Sequence, residues 1–300
     1  MKKDLAAERN IDVKLLRLWL DEYGTCSEES VNNYKIDLLG GEHAVLLIHG
    51  LTGSPFELKP LARKLNNSGF TVKGPCLAGH GQTLEQLTAT TWHDWYGTVR
   101  DTFKEMKKCY KTVSVSGLCM GALLALHLAY EEGDEVSSIA TLSTTLFYDG
   151  WSLPWYKFIL PLFYLPPLKY FASYEERPPY GVKNERMRRQ IEIALKDKEN
   201  SVAYAHFPSQ SMHELFKLIK IVKKNLHKVN VPTLILHALE DDVASIKNAN
   251  YIEKNIGTHQ VRKVLLDDTY HMLPLDNQKD RVAEETIKFF KENIHSFGHF

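Results

Sequence analysis

The sequence predicts an α/β protein built on a mostly parallel, doubly wound sheet with a helical cap insertion. Short apolar runs alternate along the chain with stretches of helical period, which is typical of parallel strands connected by helices. Several runs are apolar over most of their length, as strands must be when helices cover both faces of a sheet. The predicted strands are residues 44–48, 113–116, 139–142, 233–237 and 261–266.

Helical periodicity predicts further elements between these strands and on either side of them. An amphipathic stretch over about residues 5–23 precedes the first strand, so we expect residues 1–30 to form an N-terminal helical extension. The other predicted helices are residues 58–65, 92–107, 121–130 and 282–294.

The alternation stops between residues 145 and 216, where aromatic residues and prolines are dense and a charged helix is predicted near 184–196. A composition shift in the middle of a sheet indicates an insertion. We therefore expect an α/β core of residues 31–144 and 217–300, with residues 145–216 as a cap or lid. The cap buries its own aromatic residues or lines a pocket for an acyl chain, and the two roles are compatible.

The bulk composition favours an ordinary soluble globular protein. Hydrophobic residues make up 44% of the chain, and 37 basic residues balance 37 acidic ones, which gives no support to a nucleic-acid partner. The longest apolar stretch, residues 158–168, is broken by prolines, so we expect no transmembrane segment. The charged N-terminus lacks the apolar core of a signal peptide, and the expected location is therefore the cytoplasm.

The cysteines and histidines do not predict a metal site. Cys26, Cys76, Cys109 and Cys119 form no CxxC pair and are too few for a disulfide scaffold. The histidines form no HxH or HExxH pattern. We therefore expect reduced thiols, no metal and no cofactor.

A candidate nucleophile follows the predicted strand 113–116 directly. Residues 117–121 read GLCMG and open an apolar helix, which is the strand–turn–helix context of a nucleophile elbow with Cys119 at its centre. Glycines flank the central residue because side chains there would strike the neighbouring strand or helix. The helix N-terminus favours a thiolate. A buried structural cysteine beside a glycine-rich turn is the alternative.

Two backbone N–H groups are predicted to bind an oxyanion. Residues 49–53 read HGLTG and follow the predicted strand 44–48, so this bend can present the N–H of Leu51. The N–H of Met120, directly after the candidate nucleophile, is the second predicted donor. We expect His49 to shape the loop rather than to take part in catalysis.

A candidate acid and a candidate base follow the last two predicted strands. The strand 233–237 runs into three carboxylates at residues 240–242, and one of them can orient an imidazolium. His271 lies in the loop after the strand 261–266. The chain order is therefore nucleophile, acid, histidine, each at the carboxyl end of a strand, as in the α/β-hydrolase triad.

These motifs resemble the bacterial carboxylesterase and monoacylglycerol-lipase branch of the α/β-hydrolase superfamily. The resemblance covers about residues 35–145 and 225–295, and it includes PCLAGHG at 75–81 and TWHDW at 91–95. It implies an α/β-hydrolase fold and an ester hydrolase with Cys119 as nucleophile, Asp241 as acid and His271 as base. Asp241 matches the family pattern better than Asp242. The cysteine departs from the serine expected there.

The cysteine leaves several interpretations open. A thiolate is a better leaving group than an alkoxide, so a cysteine enzyme should favour thioesters, aryl esters and strained lactones over alkyl esters. The substrate is then a small-molecule acyl ester or thioester. Alternatives are a thioesterase or acyltransferase with a native cysteine, and a ligand-binding protein without turnover. The sequence does not decide whether the cysteine replaces a serine or whether the protein forms a homodimer.

Overall fold

The computed structural model of this protein describes residues 35–152, 173–175, 177–196 and 206–294. The predicted helix near residues 5–23 and the extension 1–30 lie outside these residues. So does part of the predicted cap.

The core is a seven-stranded sheet with the strand order β1–β3–β2–β4–β5–β8–β9. Neighbouring strands are parallel except β1, which is antiparallel to β3. The mostly parallel sheet predicted from the sequence is confirmed. The strands are β1 Ile36–Leu38, β2 His43–Ile48, β3 Thr71–Gly74, β4 Thr112–Leu118, β5 Ile139–Leu142, β8 Thr233–Ala238 and β9 Val261–Leu266.

Helices connect these strands and cover the sheet. All predicted helices within the described residues are present, and they begin or end within a few residues of the predicted limits. Three of the described helices, at residues 84–88, 209–225 and 247–255, were not predicted. The helices are α1 Lys59–Asn67, α2 Leu84–Thr88, α3 Trp92–Cys109, α4 Met120–Glu132, α5 Glu185–Lys196, α6 Ser209–Asn225, α7 Lys247–Asn255 and α8 Lys279–Ile294.

The strands that the sequence analysis did not predict are short. β1 and β3 have three and four residues and mix polar with apolar side chains, so neither shows a clear period. A small hairpin, β6 Ser173–Glu175 with β7 His206–Pro208, lies within the predicted cap. Pairing between strands distant along the chain creates these elements, and such pairing leaves little local signal.

The hydrophobic core occupies both faces of the sheet. Every residue of β4, β5 and β8 is buried, including the small polar side chains of Ser114 and Ser116 in β4. Helix α4 is buried from Met120 to Ala129, because the sheet covers one side and α6 packs against it as well. The edge strand β9 is only half-buried over most of its length, which suits its Arg262 and Lys263.

The predicted cap region, residues 145–216, is described at residues 145–152, 173–175, 177–196 and 206–216. Helix α6 spans residue 216, the predicted end of the cap, and packs on core helix α4. In the described ranges, no helix has both the length and the apolar character required to cross a membrane.

Candidate active site

Cys119 occupies a sharp turn between β4 and α4. Its φ of 54° is positive, which is unusual for a residue with a side chain, and its N–H donates to Leu142 O at 2.9 Å. A Cβ at Gly117 would lie 2.1 Å from Gly121 O, and one at Gly121 would lie 2.0 Å from Ile48 O. Only glycine fits at these two positions, so the predicted elbow geometry is present.

The acid and the histidine form a buried pair. Nδ1 of His271 lies 2.9 and 3.0 Å from the two carboxylate oxygens of Asp241. The carboxylate also accepts from the backbone N–H groups of Val243 at 2.9 Å and Ala244 at 2.7 Å. These bonds fix the orientation of the carboxylate, and the carboxylate in turn fixes the imidazole ring.

Charge pairing sets the protonation of this pair. Burial would lower the pKa of His271, but the charges of Asp241 and Cys119 hold it well above the usual 6.5. Burial would raise the pKa of Asp241, but the charge and the hydrogen bond of His271 bring it below the usual 3.8. The carboxylate of Asp241 therefore stabilises the imidazolium form of His271.

The thiol of Cys119 lies close enough to His271 for its charge and a hydrogen bond to raise the histidine pKa. Nε2 of His271 nevertheless has no hydrogen bond of normal geometry among the described residues. The thiol instead has its contact of good geometry with Thr145, whose Oγ1 lies 3.3 Å from Sγ. The structure therefore brings the thiol near the imidazole, with the sulfur oriented toward a hydroxyl.

Asp242 has a different position from its neighbour Asp241. One of its carboxylate oxygens accepts from the backbone N–H of His271 at 3.3 Å, and the other accepts from Gly181 N–H at 3.2 Å. Burial raises the pKa of Asp242, and the charge of Asp241 adds to this effect. Asp242 therefore supports the backbone of the histidine loop, whereas Asp241 contacts the ring.

The HGLTG loop lies directly beside the elbow. A Cβ at Gly50 would be 3.6 Å from Cys119 Cβ, so this loop contacts the turn that carries the candidate nucleophile. Gly50 N–H donates to the carboxylate of Glu57 at 2.5 Å. A Cβ at Gly53 would meet the same carboxylate at 2.1 Å. The Glu57 carboxylate thus stabilises the loop through its hydrogen bond to Gly50, and it occupies the space that a side chain at position 53 would need.

His49 connects this loop to the PCLAGHG segment. Its Nε2 accepts from Leu77 N–H at 3.0 Å, and its Nδ1 is 2.9 Å from Gly50 O. Burial, with a contribution from His80, lowers the pKa of His49 well below 6.5, so the ring is neutral. The structure places His49 behind the loop, in the shaping position expected from the sequence.

Two residues at this site were not identified in the sequence. Thr145 lies three residues after β5, at the same edge of the sheet as the triad residues, and this position is its only sequence signal. Glu57 lies in a short 3₁₀ helix, Pro55–Leu58, that follows the loop. The sequence signal for Glu57 was a single carboxylate between the apolar residues Phe56 and Leu58.

The site and fold agree with a comparison against protein families. Residues 41–278 match the family described as Serine aminopeptidase, S33. The chain belongs to this family. Because the match extends over most of the chain, it includes the HGLTG loop, the elbow and the loops of Asp241 and His271.

In the described ranges, no three His, Cys, Asp or Glu side chains form a group that could hold a metal ion.

Curated relatives of this Serine aminopeptidase, S33 family member include two Bacillus proteins. The chain is 29% identical to a thermostable monoacylglycerol lipase of Bacillus sp. (strain H-257), over 84% of this chain and 92% of the lipase. It is 26% identical to a carboxylesterase of Bacillus subtilis (strain 168), over 84% of this chain and 94% of the esterase.

A solved structure from a study of two metagenome-derived lipolytic enzymes, LipS and LipT, is similar to this family member. It superposes with a TM-score of 0.73 at 24% identity, over 86% of this chain and 97% of that chain. At this level of identity the similarity concerns the fold, which is that of an α/β-hydrolase.

Proposed function

We propose that this protein is a carboxylic ester hydrolase that forms an acyl-enzyme on Cys119, with His271 as general base and Asp241 as orienting acid. The observation that carries the proposal is the buried Asp241–His271 pair beside a cysteine on a strained elbow. The relatedness to a lipase and a carboxylesterase supports ester bonds as the target.

The first half of the reaction forms a thioester. The Cys119 thiol gives its proton to His271, and the sulfur attacks the ester carbonyl carbon. The N–H groups of Leu51 and Met120 donate to the carbonyl oxygen as it becomes negative. His271 then returns the proton to the departing alcohol oxygen, and the carbon–oxygen bond breaks.

The second half of the reaction hydrolyses the thioester. His271 takes a proton from a water molecule, the hydroxyl attacks the acyl carbon, and the carbon–sulfur bond breaks. The acid product leaves, and the proton returns to the thiolate of Cys119. Asp241 stabilises the imidazolium in both halves, because its charge raises the pKa of His271.

The sulfur nucleophile restricts the leaving group. A thiolate is expelled more easily than an alkoxide from the first tetrahedral intermediate, so alkyl esters should return to substrate more often than they react. Aryl esters and thioesters have leaving groups that compete with the thiolate of Cys119. Thioester hydrolysis is therefore the second candidate function.

Acylation of Cys119 is the deciding experiment. After brief exposure to a nitrophenyl ester, mass spectrometry of the intact protein and of its peptides should show one acyl group on Cys119. Cys76 is a matched control in the same chain, since burial raises the pKa of its thiol to about 11 and should keep it unreactive.

The outcome can contradict the proposal in two ways. Acyl addition to a serine, or to Cys76, would place the chemistry elsewhere. Binding of the ester without acylation or product would favour a ligand-binding protein. Cys119→Ala should abolish the adduct, and Cys119→Ser should gain activity on alkyl esters relative to aryl esters if the site is otherwise of the serine type.

A further inference from the structure

The Cys119 thiol contacts a hydroxyl that the reaction described above does not use. Oγ1 of Thr145 lies 3.3 Å from Sγ of Cys119 and also 3.3 Å from Ser143 O. The Thr145 side chain is completely buried. A hydroxyl has one proton to donate, so Thr145 can donate to the carbonyl or to the sulfur, but not fully to both.

The backbone around Thr145 is held by several independent bonds. Ser143 has a positive φ of 45°, and its N–H donates to Leu236 O at 3.0 Å. The side-chain oxygen of Asn248 accepts from Leu146 N–H at 2.8 Å and from Phe147 N–H at 2.7 Å. A strained residue precedes Thr145 and a double hydrogen bond follows it, so the hydroxyl has little freedom to move away from the sulfur.

Asn248 is itself fixed on all sides. Its side chain is fully buried, and the two N–H groups of its amide share three acceptors, Phe147 O, Asp149 Oδ1 and Ser245 O, at 3.2, 3.2 and 2.9 Å. Asp149 accepts in turn from Ser245 N–H and from its hydroxyl, both at 2.9 Å. The segment that carries Thr145 is therefore part of a rigid polar network rather than a loose loop.

We propose that Thr145 is a positioning residue for the nucleophile, whose hydroxyl holds the Cys119 thiol at rest and donates to the sulfur when the thiol loses its proton. In the resting state the S–H donates to Oγ1, and the Thr145 hydroxyl donates to Ser143 O. When the proton passes to Nε2 of His271, the Thr145 O–H turns from Ser143 O to the thiolate. No proton leaves Thr145 in this exchange.

The exchange is favourable because hydrogen bonds to an anion are stronger than those to a neutral carbonyl. Both acceptors lie at the same distance from Oγ1, so rotation of the hydroxyl requires no movement of heavy atoms. The Thr145 hydroxyl also explains why the Cys119 sulfur makes its hydrogen bond to Oγ1 and not to Nε2 of His271. Among the described residues, Nε2 has no hydrogen bond of normal geometry.

The inference rests on the proposed function only for its catalytic consequence, and its test does not require turnover. The rate of Cys119 alkylation by iodoacetamide is measured against pH, with the modified peptide identified by mass spectrometry. Thr145→Val removes the hydroxyl and keeps the shape, whereas Thr145→Ser keeps the hydroxyl. Thr144→Val is the matched control, because Thr144 Oγ1 is buried without a hydrogen-bond partner among the described residues.

We expect Thr145→Val to alkylate roughly fivefold to tenfold more slowly below the plateau of the profile. The midpoint of its profile should move to higher pH, while the plateau rate is retained. Thr145→Ser and Thr144→Val should follow the wild-type curve. Thr145→Ala provides the same comparison if the valine variant does not fold.

An unchanged midpoint in Thr145→Val or Thr145→Ala would overturn the inference and reduce Thr145 to a packing residue. An equal shift in Thr144→Val would overturn it too, since any change in this segment would then act on the thiol. If Cys119 is not acylated by esters but its alkylation still depends on Thr145, the proposed function fails and the inference stands.

Discussion

At the scale of single residues, the two neighbouring aspartates differ in what they contact. Asp241 bonds to the imidazole ring of His271, whereas Asp242 bonds to the backbone of His271 and of Gly181. The pKa of Asp241 is lowered by the imidazolium, but burial dominates at Asp242 and raises its pKa. Adjacent carboxylates of identical chemistry thus have different protonation tendencies, because the charge and the ring hydrogen bond of His271 outweigh burial only at Asp241.

Asp241→Asn should reduce ester hydrolysis by roughly three to four orders of magnitude, because the neutral amide no longer orients and stabilises the imidazolium. It should also destabilise the fold more at about pH 5.5 than at about pH 9. The raised pKa of His271 contributes stability that is complete below its unfolded value near 6.5 and is lost as pH rises through the folded value. Urea unfolding at both pH values measures this difference.

Asp242→Asn is the matched control for this prediction. An asparagine keeps an acceptor oxygen for one of the two backbone N–H groups, so the expected loss of activity is about tenfold. A larger loss in Asp242→Asn than in Asp241→Asn would contradict the assignment of the acid.

At the scale of elements, the elbow depends on close approach of backbone segments. Strand β4 ends at Leu118, helix α4 begins at Met120, and a single residue turns the chain between them. The neighbouring strand β2 approaches so closely that Ile48 O would touch a side chain at Gly121. Thus the glycines of the GLCMG motif are required by packing between elements as well as by the turn.

Gly121→Ala should destabilise the protein by roughly 3 kcal/mol, since a Cβ cannot fit against the backbone of β2 without a shift of α4. Gly97→Ala is the control. Gly97 lies in helix α3 with no atom within 4 Å of an added Cβ, so alanine should be neutral or stabilise by about 0.5–1 kcal/mol. Urea unfolding of the two variants measures both effects, and equal free energies of unfolding would contradict the packing argument.

At the scale of the whole molecule, two described segments of the predicted cap region, 145–152 and 177–196, are hydrogen-bonded to the loops of the candidate site. Ser152 N–H donates to Asp242 O at 3.0 Å, and Met272 N–H donates to Gly181 O at 2.7 Å. The buried carboxylate of Asp276 accepts from the N–H groups of Lys183 and Asn184, both at 2.8 Å. The cap region and the histidine loop therefore share one set of hydrogen bonds.

Asp276→Ala should lower the free energy of unfolding by about 2–4 kcal/mol, because several buried donors lose one acceptor together. The same carboxylate accepts from Tyr270 N–H at 2.8 Å, so the histidine loop should loosen and ester hydrolysis should fall as well. Asp280→Ala, an exposed site whose salt bridge with Lys64 is also exposed, serves as control and should change stability little. Thermal unfolding and ester hydrolysis of both variants test whether Asp276 supports both the stability of the fold and the position of the histidine loop.

Much of the fold could be predicted because five of its strands contain clusters of apolar residues separated by stretches of helical period. Strands β2, β4, β5, β8 and β9 begin and end within about two residues of the predicted limits. β1, β3 and the β6–β7 hairpin could not be predicted, since each is short, mixes polar with apolar residues and depends on a partner strand. The division into extension, core and cap stays a prediction.

By itself, the sequence determined the parallel sheet, the glycine-flanked Cys119, and the order in which the candidate acid and histidine follow the strands. These features are local, since they depend on apolar runs and on residues next to one another in the chain. The resemblance favoured Asp241 over Asp242, but only the tertiary structure shows that the Asp241 carboxylate bonds to the ring of His271 and that Thr145 reaches the sulfur. The physical reason is that both contacts join residues far apart in the chain, whose distances are set by strand register and loop packing.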